Sequence, residues 1–230
     1  MHYKAIILDF DGTIFRLFCN YDLKRIVAAL VSLLQPYDIG FSMENDAFDA
    51  FNMVFFSDIE PTTKAMLLKK IDEMITEAEL EALASGVHIN GFSKFRDWIM
   101  QNDLLLAIVT NNSAVCIQTF LQRNFSGFSC PVVGREGQRP DLMKPNPHML
   151  HRISSILNVS KEDMCFVGDT TRDYECALAF GCSFIAMAPT PVKKTRLSTA
   201  IKNYPIVDDF LTLCEALTSS TKSDTILSGL

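Results

Sequence analysis

Two acidic residues, Asp9 and Asp11, directly follow the apolar residues 5–8 near the start of the chain. Because side chains alternate along a strand, residues two apart point to the same side of the sheet edge. Like charges this close repel each other and shift each other's affinity for protons. We therefore expect a cation or a reaction to require them, although Asp11 and Gly12 could also form a simple turn that ends the strand.

Polar side chains also follow two later apolar segments. Thr110 and Asn111 come after residues 104–109, and Asp169 comes after residues 164–167. In open α/β sheets the ligand crevice lies beyond the carboxyl ends of the strands, so these residues should face one site together with Asp9. Each has a structural alternative, because such residues also cap helices and offset the positive end of a helix dipole.

Lys144 and Asp173 complete the candidate chemistry. Lys144 precedes a predicted helix, and Asp173 lies four residues after Asp169. The group of carboxylates offers the oxygen ligands that Mg²⁺ prefers, and the lack of His and Cys in these segments argues against zinc. A lysine ammonium and the Thr110 hydroxyl suit a phosphoryl group, whose transfer depends on positioning and charge stabilisation.

Short apolar segments alternate with segments of helical periodicity over most of the chain. Strands are predicted at residues 4–9, 104–110, 131–133, 164–167, 183–187 and 205–207. Helices are predicted at residues 92–101, 113–124, 147–157 and 172–180. This alternation predicts an α/β fold with a parallel sheet that is covered on both faces.

The segment at residues 15–88 breaks the alternation and lacks a strand pattern. Its apolar residues recur at helical spacing, which predicts helices at residues 21–35, 42–56 and 61–85. We therefore expect a small all-helical insertion after the first strand. The predicted organisation is a core of residues 1–14 and 89–217, the insertion at 15–88, and a Ser/Thr-rich mobile tail at 218–230.

Composition narrows the function classes. The chain has 230 residues, of which 48% are hydrophobic, so it can bury a sizeable core. A net charge of −6 gives no support for a nucleic-acid surface or for an anionic membrane as partner. The seven cysteines are scattered and odd in number, which is typical of a reducing compartment. Without a segment apolar enough for a signal peptide or membrane helix, we expect a soluble cytoplasmic protein.

The sequence resembles the haloacid dehalogenase-like phosphohydrolase superfamily. The resemblance rests on four segments in family order: DFDGT at residues 9–13, Thr110 after an apolar strand, Lys144, and GDTTRD at residues 168–173. It implies a doubly wound, Rossmann-like core. The position of the helical insertion is similar to the cap domain of the phosphoglycolate phosphatase-like branch.

The resemblance also implies roles for the matching residues. Asp9 would be the nucleophile of an aspartyl-phosphate mechanism, and Asp11 would be the general acid and base. Thr110, Asn111 and Lys144 would hold the phosphoryl group. Mg²⁺ would be held by Asp9, Asp11 through its backbone carbonyl, Asp169 and Asp173. The implied activity is hydrolysis of a small phosphorylated metabolite by a monomer or homodimer.

Alternatives remain at this stage. The motifs are shared with phosphomutases that act on sugar phosphates, and a non-catalytic binding module could keep the same scaffold. Arg16 stands where many relatives carry an acidic segment. It could contact a second anionic group of the substrate or be a solvated charge.

Overall fold

The computed structural model describes residues 3–201 and 204–227, with side chains described up to residue 219. Its strands are β1 Ala5–Leu8, β2 Phe15–Arg16, β3 Val87–His88, β4 Leu105–Val109, β5 Val132–Val133, β6 Met164–Gly168, β7 Ser183–Met187 and β8 Ile206–Val207. Its helices are α1 Leu23–Leu34, α2 Asp49–Phe55, α3 Pro61–Ala82, α4 Phe92–Gln101, α5 Ala114–Asn124, α6 His148–Leu157, α7 Thr171–Phe180, α8 Pro191–Ala200 and α9 Phe210–Leu227.

Within the described residues, the main sheet has the strand order β5-β4-β1-β6-β7-β8, and every neighbouring pair is parallel. The strand at its centre, β1, is completely buried. Ala5 and Ile7 pack into the hydrophobic cluster on one face, whereas Ile6 and Leu8 pack into the cluster on the other. Helices therefore cover both faces, which confirms the predicted doubly wound α/β architecture.

The insertion consists of α1, α2 and α3, which lie between β2 and β3. Its buried side chains, among them Leu30, Phe51 and Ile71, belong to the same hydrophobic cluster as Ala5 and Ile7 of the sheet. The three helices thus pack against the core and do not form a separate hydrophobic centre. We call α1–α3 and the segments that join them the cap.

Two details of the predicted insertion are wrong. Phe15 and Arg16 pair antiparallel with His88 and Val87, so a two-stranded ribbon joins the cap to the core where no strand was predicted. Two residues are too few to show a strand alternation. The second cap helix begins at Asp49, seven residues after its predicted start at Ser42. The Asn45 side chain accepts a hydrogen bond from the Ser42 backbone N–H at 2.8 Å, which favours a turn there.

The C-terminal part contains helices that the sequence patterns did not predict. Helix α8 begins after Thr190, whose side chain accepts from the Lys193 N–H, and Pro191 occupies its first turn. Helix α9 packs its buried Phe210, Leu213 and Leu217 against the sheet face that includes β1. It continues as helix to Leu227, so part of the predicted tail is helical, and residues 228–230 lie outside the described residues.

Candidate active site

The register of the central strands brings three of the predicted residues together. Leu8 of β1 lies opposite Ile108 of β4 and Val167 of β6. Asp9 comes one residue after Leu8, Thr110 comes two residues after Ile108, and Asp169 comes two residues after Val167. The three side chains therefore emerge at the same edge of the sheet, as the sequence predicted, and all are buried.

Lys144 reaches this edge from the segment before α6. Its Nζ donates to Asp9 Oδ1 and to Asp173 Oδ1, both at 2.6 Å. Asn111 holds the backbone of Lys144 in both directions: the Lys144 N–H donates to Asn111 Oδ1 at 2.9 Å, and Asn111 Nδ2 donates to the Lys144 carbonyl at 3.1 Å. The Asn111 side chain thus positions the lysine. A phosphate contact of Asn111 stays a prediction.

Three carboxylates form a cluster that fits a metal ion. One oxygen each of Asp9, Asp169 and Asp173 lies within 4.8 Å of the others. Asp173 Oδ2 is already engaged, since it accepts from the N–H and the hydroxyl of Thr170 at 2.9 and 2.6 Å. Asp169 Oδ1, in contrast, is buried without a hydrogen-bond partner among the described residues. An orphaned carboxylate oxygen is costly unless a cation neutralises it, and an all-oxygen donor set suits a hard divalent ion.

Asp11 lies beside this cluster but is not one of its three members. Its Oδ1 accepts the backbone N–H of Leu17 at 2.8 Å. Burial raises the pKa of Asp11 to about 6, although the bond from Leu17 opposes the shift. A carboxyl group with this pKa can exist in both protonation states near neutral pH, which is what a general acid and base requires.

The charges at the site compensate one another. Burial lowers the pKa of Lys144, but the attraction of Asp173 and Asp9 outweighs this effect and holds the pKa above its usual value. Lys144 therefore stays cationic. Burial raises the pKa of Asp9, and Lys144 opposes that shift. A second cation, Lys193 of α8, forms an ion pair with Asp169 Oδ2.

The backbone turn after Asp9 depends on glycine. Gly12 adopts a φ of +85°, a left-handed conformation that other residues rarely tolerate. A Cβ atom at this position would collide with the Asp169 carboxylate and lie 2.8 Å from Lys193 Nζ. The glycine thus lets the first loop approach the acidic cluster closely.

A buried network connects the cap to the loop that carries Thr110. The Thr110 hydroxyl donates to Asn112 Oδ1 at 2.9 Å. Asn112 Nδ2 and the Ser113 N–H both donate to the carboxylate of Glu79, a cap residue on α3, at 3.0 Å. Arg135, which follows β5, donates to Glu79 Oε1 at 2.6 Å, and both side chains are 0% exposed.

A cavity of about 520 Å³ lies between this edge of the sheet and the cap. Of the eight predicted site residues, seven line this cavity: Asp9, Asp11, Thr110, Asn111, Lys144, Asp169 and Asp173. Arg16 is exposed on β2 and lines an adjoining cavity of about 350 Å³, whose lining also includes Asp169 and Lys193. The structure therefore brings the predicted catalytic residues together but does not bring Arg16 into the main cavity.

Sequence reasoning missed Glu79, Arg135 and Lys193. Glu79 carries a usable signal, because it interrupts the apolar face of α3 formed by Ile71, Ile75 and Ala82. A charge within an apolar stripe indicates a buried partner. Arg135 and Lys193 have no comparable signal, since their partners lie 56 and 24 residues away in the chain.

Comparison with known proteins assigns the family. The sequence model of the haloacid dehalogenase-like hydrolases matches residues 6–187, so the chain belongs to this family of hydrolases. It is 27% identical over 190 residues to an uncharacterized hydrolase of Saccharomyces cerevisiae, with 79% of this chain and 75% of that protein covered.

Solved structures share the fold. One is a predicted phosphatase from Clostridium acetobutylicum, with a TM-score of 0.65, 16% identity, and 95% of this chain and 100% of that chain covered. Another is a predicted phosphoglycolate phosphatase from Haemophilus somnus, with a TM-score of 0.62, 17% identity, and 94% of this chain and 99% of that chain covered. Throughout residues 3–201 and 204–227, we find no helix that is both long and apolar enough to cross a membrane.

Proposed function

We propose that this protein is a Mg²⁺-dependent phosphatase that hydrolyses a small phosphorylated metabolite through an aspartyl-phosphate intermediate. The observation that carries the proposal is the contact of Asp9 with Lys144 beside the acidic cluster of Asp9, Asp169 and Asp173. Such a group of opposite charges at the floor of a cavity is suited to bind a phosphoryl group and attack it.

In this mechanism Asp9 attacks phosphorus, and the ester oxygen departs. Asp11 protonates that oxygen, because its raised pKa keeps a population of the protonated form near neutral pH. Asp11, now ionised, takes a proton from the water that cleaves the aspartyl-phosphate. The reaction thus divides into two steps that share one acid and base.

Other residues hold the charges in place. Lys144 attracts phosphoryl oxygens and offsets their repulsion from Asp9, and Thr110 lies at the same edge for a further contact. Asp9, Asp169, Asp173 and the backbone carbonyl of Asp11 would hold Mg²⁺. When bound, the ion supplies positive charge that stabilises the phosphoryl group during transfer. The cap covers the cavity and limits the access of water.

The decisive experiment replaces the nucleophile. We expect Asp9→Asn to lower the kcat for phosphate release by about 10⁴-fold or more, since the amide cannot form the covalent intermediate. The matched control is Asp58→Asn, the same change at an exposed cap position. Phosphate release with ethyl phosphate and Mg²⁺ measures both. Undiminished turnover in the folded Asp9→Asn variant would overturn the proposal.

Product analysis separates the alternatives. A phosphomutase would convert a hexose phosphate into an isomeric sugar phosphate, whereas a phosphatase releases inorganic phosphate. A non-catalytic module would release none from any ester with any divalent metal.

A further inference from the structure

We infer that the substrate is a phosphomonoester whose alcohol carries an apolar body about the size of one or two rings. This inference rests on the proposed function and specifies its substrate class. It comes from the wall that the cap contributes to the main cavity, which faces the catalytic carboxylates.

The cap wall is apolar. Among the described residues, eleven cap side chains line the cavity, and eight of them are apolar. Ile26 and Val27 come from α1, Phe48 lies just before α2, and Ile75 comes from α3. Three separate parts of the cap thus direct hydrocarbon toward one space. This is more than the single buried stripe that a helix needs for its own packing.

The polar residues of the wall are poor partners for a sugar. Asn45 Oδ1 is already engaged by the backbone N–H and the hydroxyl of Ser42. Asp46 Oδ1 accepts from the N–H of Phe48 at 2.8 Å. Lys24 is exposed at the mouth. The described cap residues contribute no Ser, Thr, Tyr, His or Arg side chain to the lining. Sugar hydroxyls buried against the apolar side chains of this wall would lose their bonds to water without replacement, and this lowers affinity.

The size of the cavity also supports a substrate with an apolar body. Its volume of about 520 Å³ falls within the range of pockets that enclose a drug-sized ligand. A two-carbon alcohol would leave the exposed side chains of Leu23 and Met43 and the half-buried ring of Phe48 in contact with water. An apolar body would instead cover that wall while its phosphate lies at Asp9 and Lys144. The guanidinium carbon of Arg135 lies 5.8 Å from the centroid of the Phe48 ring, and this cation–π contact favours one position of the ring.

The test compares four primary alkyl esters, so that the leaving group differs little in basicity. These are ethyl phosphate, phenethyl phosphate, glycerol phosphate and a hexose phosphate, assayed with the full chain and Mg²⁺. We expect the kcat/KM of phenethyl phosphate to exceed those of the other three by about tenfold or more. Phenethylphosphonate, which cannot be hydrolysed, should likewise bind about tenfold more tightly than ethylphosphonate by calorimetry.

Two variants assign the preference to the cap wall. Val27→Thr adds a hydroxyl to the wall at nearly constant shape and should reduce the ratio of phenethyl to ethyl kcat/KM about threefold or more. The matched control is Val31→Thr, one turn later on α1 and outside the lining. It should change that ratio less than twofold. Should Val27→Thr fail to fold, Leu23→Gln makes the same test at a lining position that is 41% exposed.

The outcomes separate the inference from the proposed function. If no ester releases phosphate but phenethylphosphonate binds selectively, the phosphatase proposal fails and the apolar site stands. If phosphate is released and phenethyl phosphate is no better than ethyl phosphate, the apolar site is refuted and the phosphatase proposal stands. A hexose phosphate as the best substrate, or equal effects of Val27→Thr and Val31→Thr, would also refute the apolar site.

Discussion

Glu79 of the cap should be a large contributor to stability although it lies outside the acidic cluster. Its Oε1 accepts from Arg135 at 2.6 Å and from Asn112 at 3.0 Å, and its Oε2 accepts from the Ser113 N–H at 3.0 Å. All three donors therefore face carboxylate oxygens. In Glu79→Gln the shape is kept, but the charge is lost and one oxygen becomes an NH₂ group that faces a donor.

The magnitude follows from burial. The side chains of Glu79 and Arg135 are both 0% exposed, so water cannot replace the lost interaction. Asp72 also pairs with Arg135 at 2.7 Å, but its side chain is 38% exposed and its attraction is partly screened. Breaking a buried ion pair from one side costs about 3–5 kcal/mol. For a chain of this size each kcal/mol shifts the Tm by roughly 2–4 °C, so we expect a fall of about 6–20 °C.

The assay is thermal unfolding followed by circular dichroism. Glu77→Gln is the matched control, because Glu77 is exposed on the same helix, and we expect it to change the free energy of unfolding by less than about 0.5 kcal/mol. A Tm of Glu79→Gln within about 2 °C of the unmodified protein would refute the reasoning. It would mean that the network contributes little net stability.

Three further predictions concern the candidate site. The proton-donating form of Asp11 is lost as the pH rises through its pKa of about 6, so kcat/KM with ethyl phosphate should fall above that pH. Asp11→Asn should lower kcat/KM and remove this pH dependence. A pH profile that is unchanged in Asp11→Asn would exclude Asp11 as the general acid. Mg²⁺ at 100 times its Kd should stabilise the protein by about 2.7 kcal/mol, or roughly 5–11 °C in Tm, and Asp169→Asn should abolish this shift, whereas a shift that persists would place the ion elsewhere. Gly12→Ala should lower turnover about tenfold or more. Gly40 also has a positive φ, +75°, but a Cβ atom there would meet open space, so Gly40→Ala should retain turnover. Equal turnover in both variants would contradict the proposal that the first loop must approach Asp169 closely.

The strands and their terminal residues were accessible from the sequence. Helix α4 and strand β7 have the predicted bounds, and the other core strands differ from their predictions by at most one residue at either end. Strand β1 was readable because it is buried on both faces, so it appears as a continuous apolar run that ends at Asp9. The close spacing of the like charges at Asp9 and Asp11 then indicated where a catalytic or metal site should lie.

The cap was less accessible. Its helices α1 and α3 follow their apolar stripes, but the start of α2 was wrong because side-chain bonds to the backbone at Ser42 compete with helix formation. The ribbon of β2 and β3 was missed, since two-residue strands carry no periodicity. The predicted boundaries of the core and cap remain an interpretation of these elements.

The sequence by itself determined the fold class and the family, and it predicted the acids and the lysine of the candidate site, because these depend on local periodicity and on short motifs. Only the tertiary structure decided that Glu79 pairs with Arg135, that Lys193 meets Asp169, and that Arg16 lies outside the main cavity. It also decided which cap side chains face the acids. Helical periodicity identifies an apolar face, but it cannot tell whether that face covers a core or a ligand, since both environments exclude water in the same way.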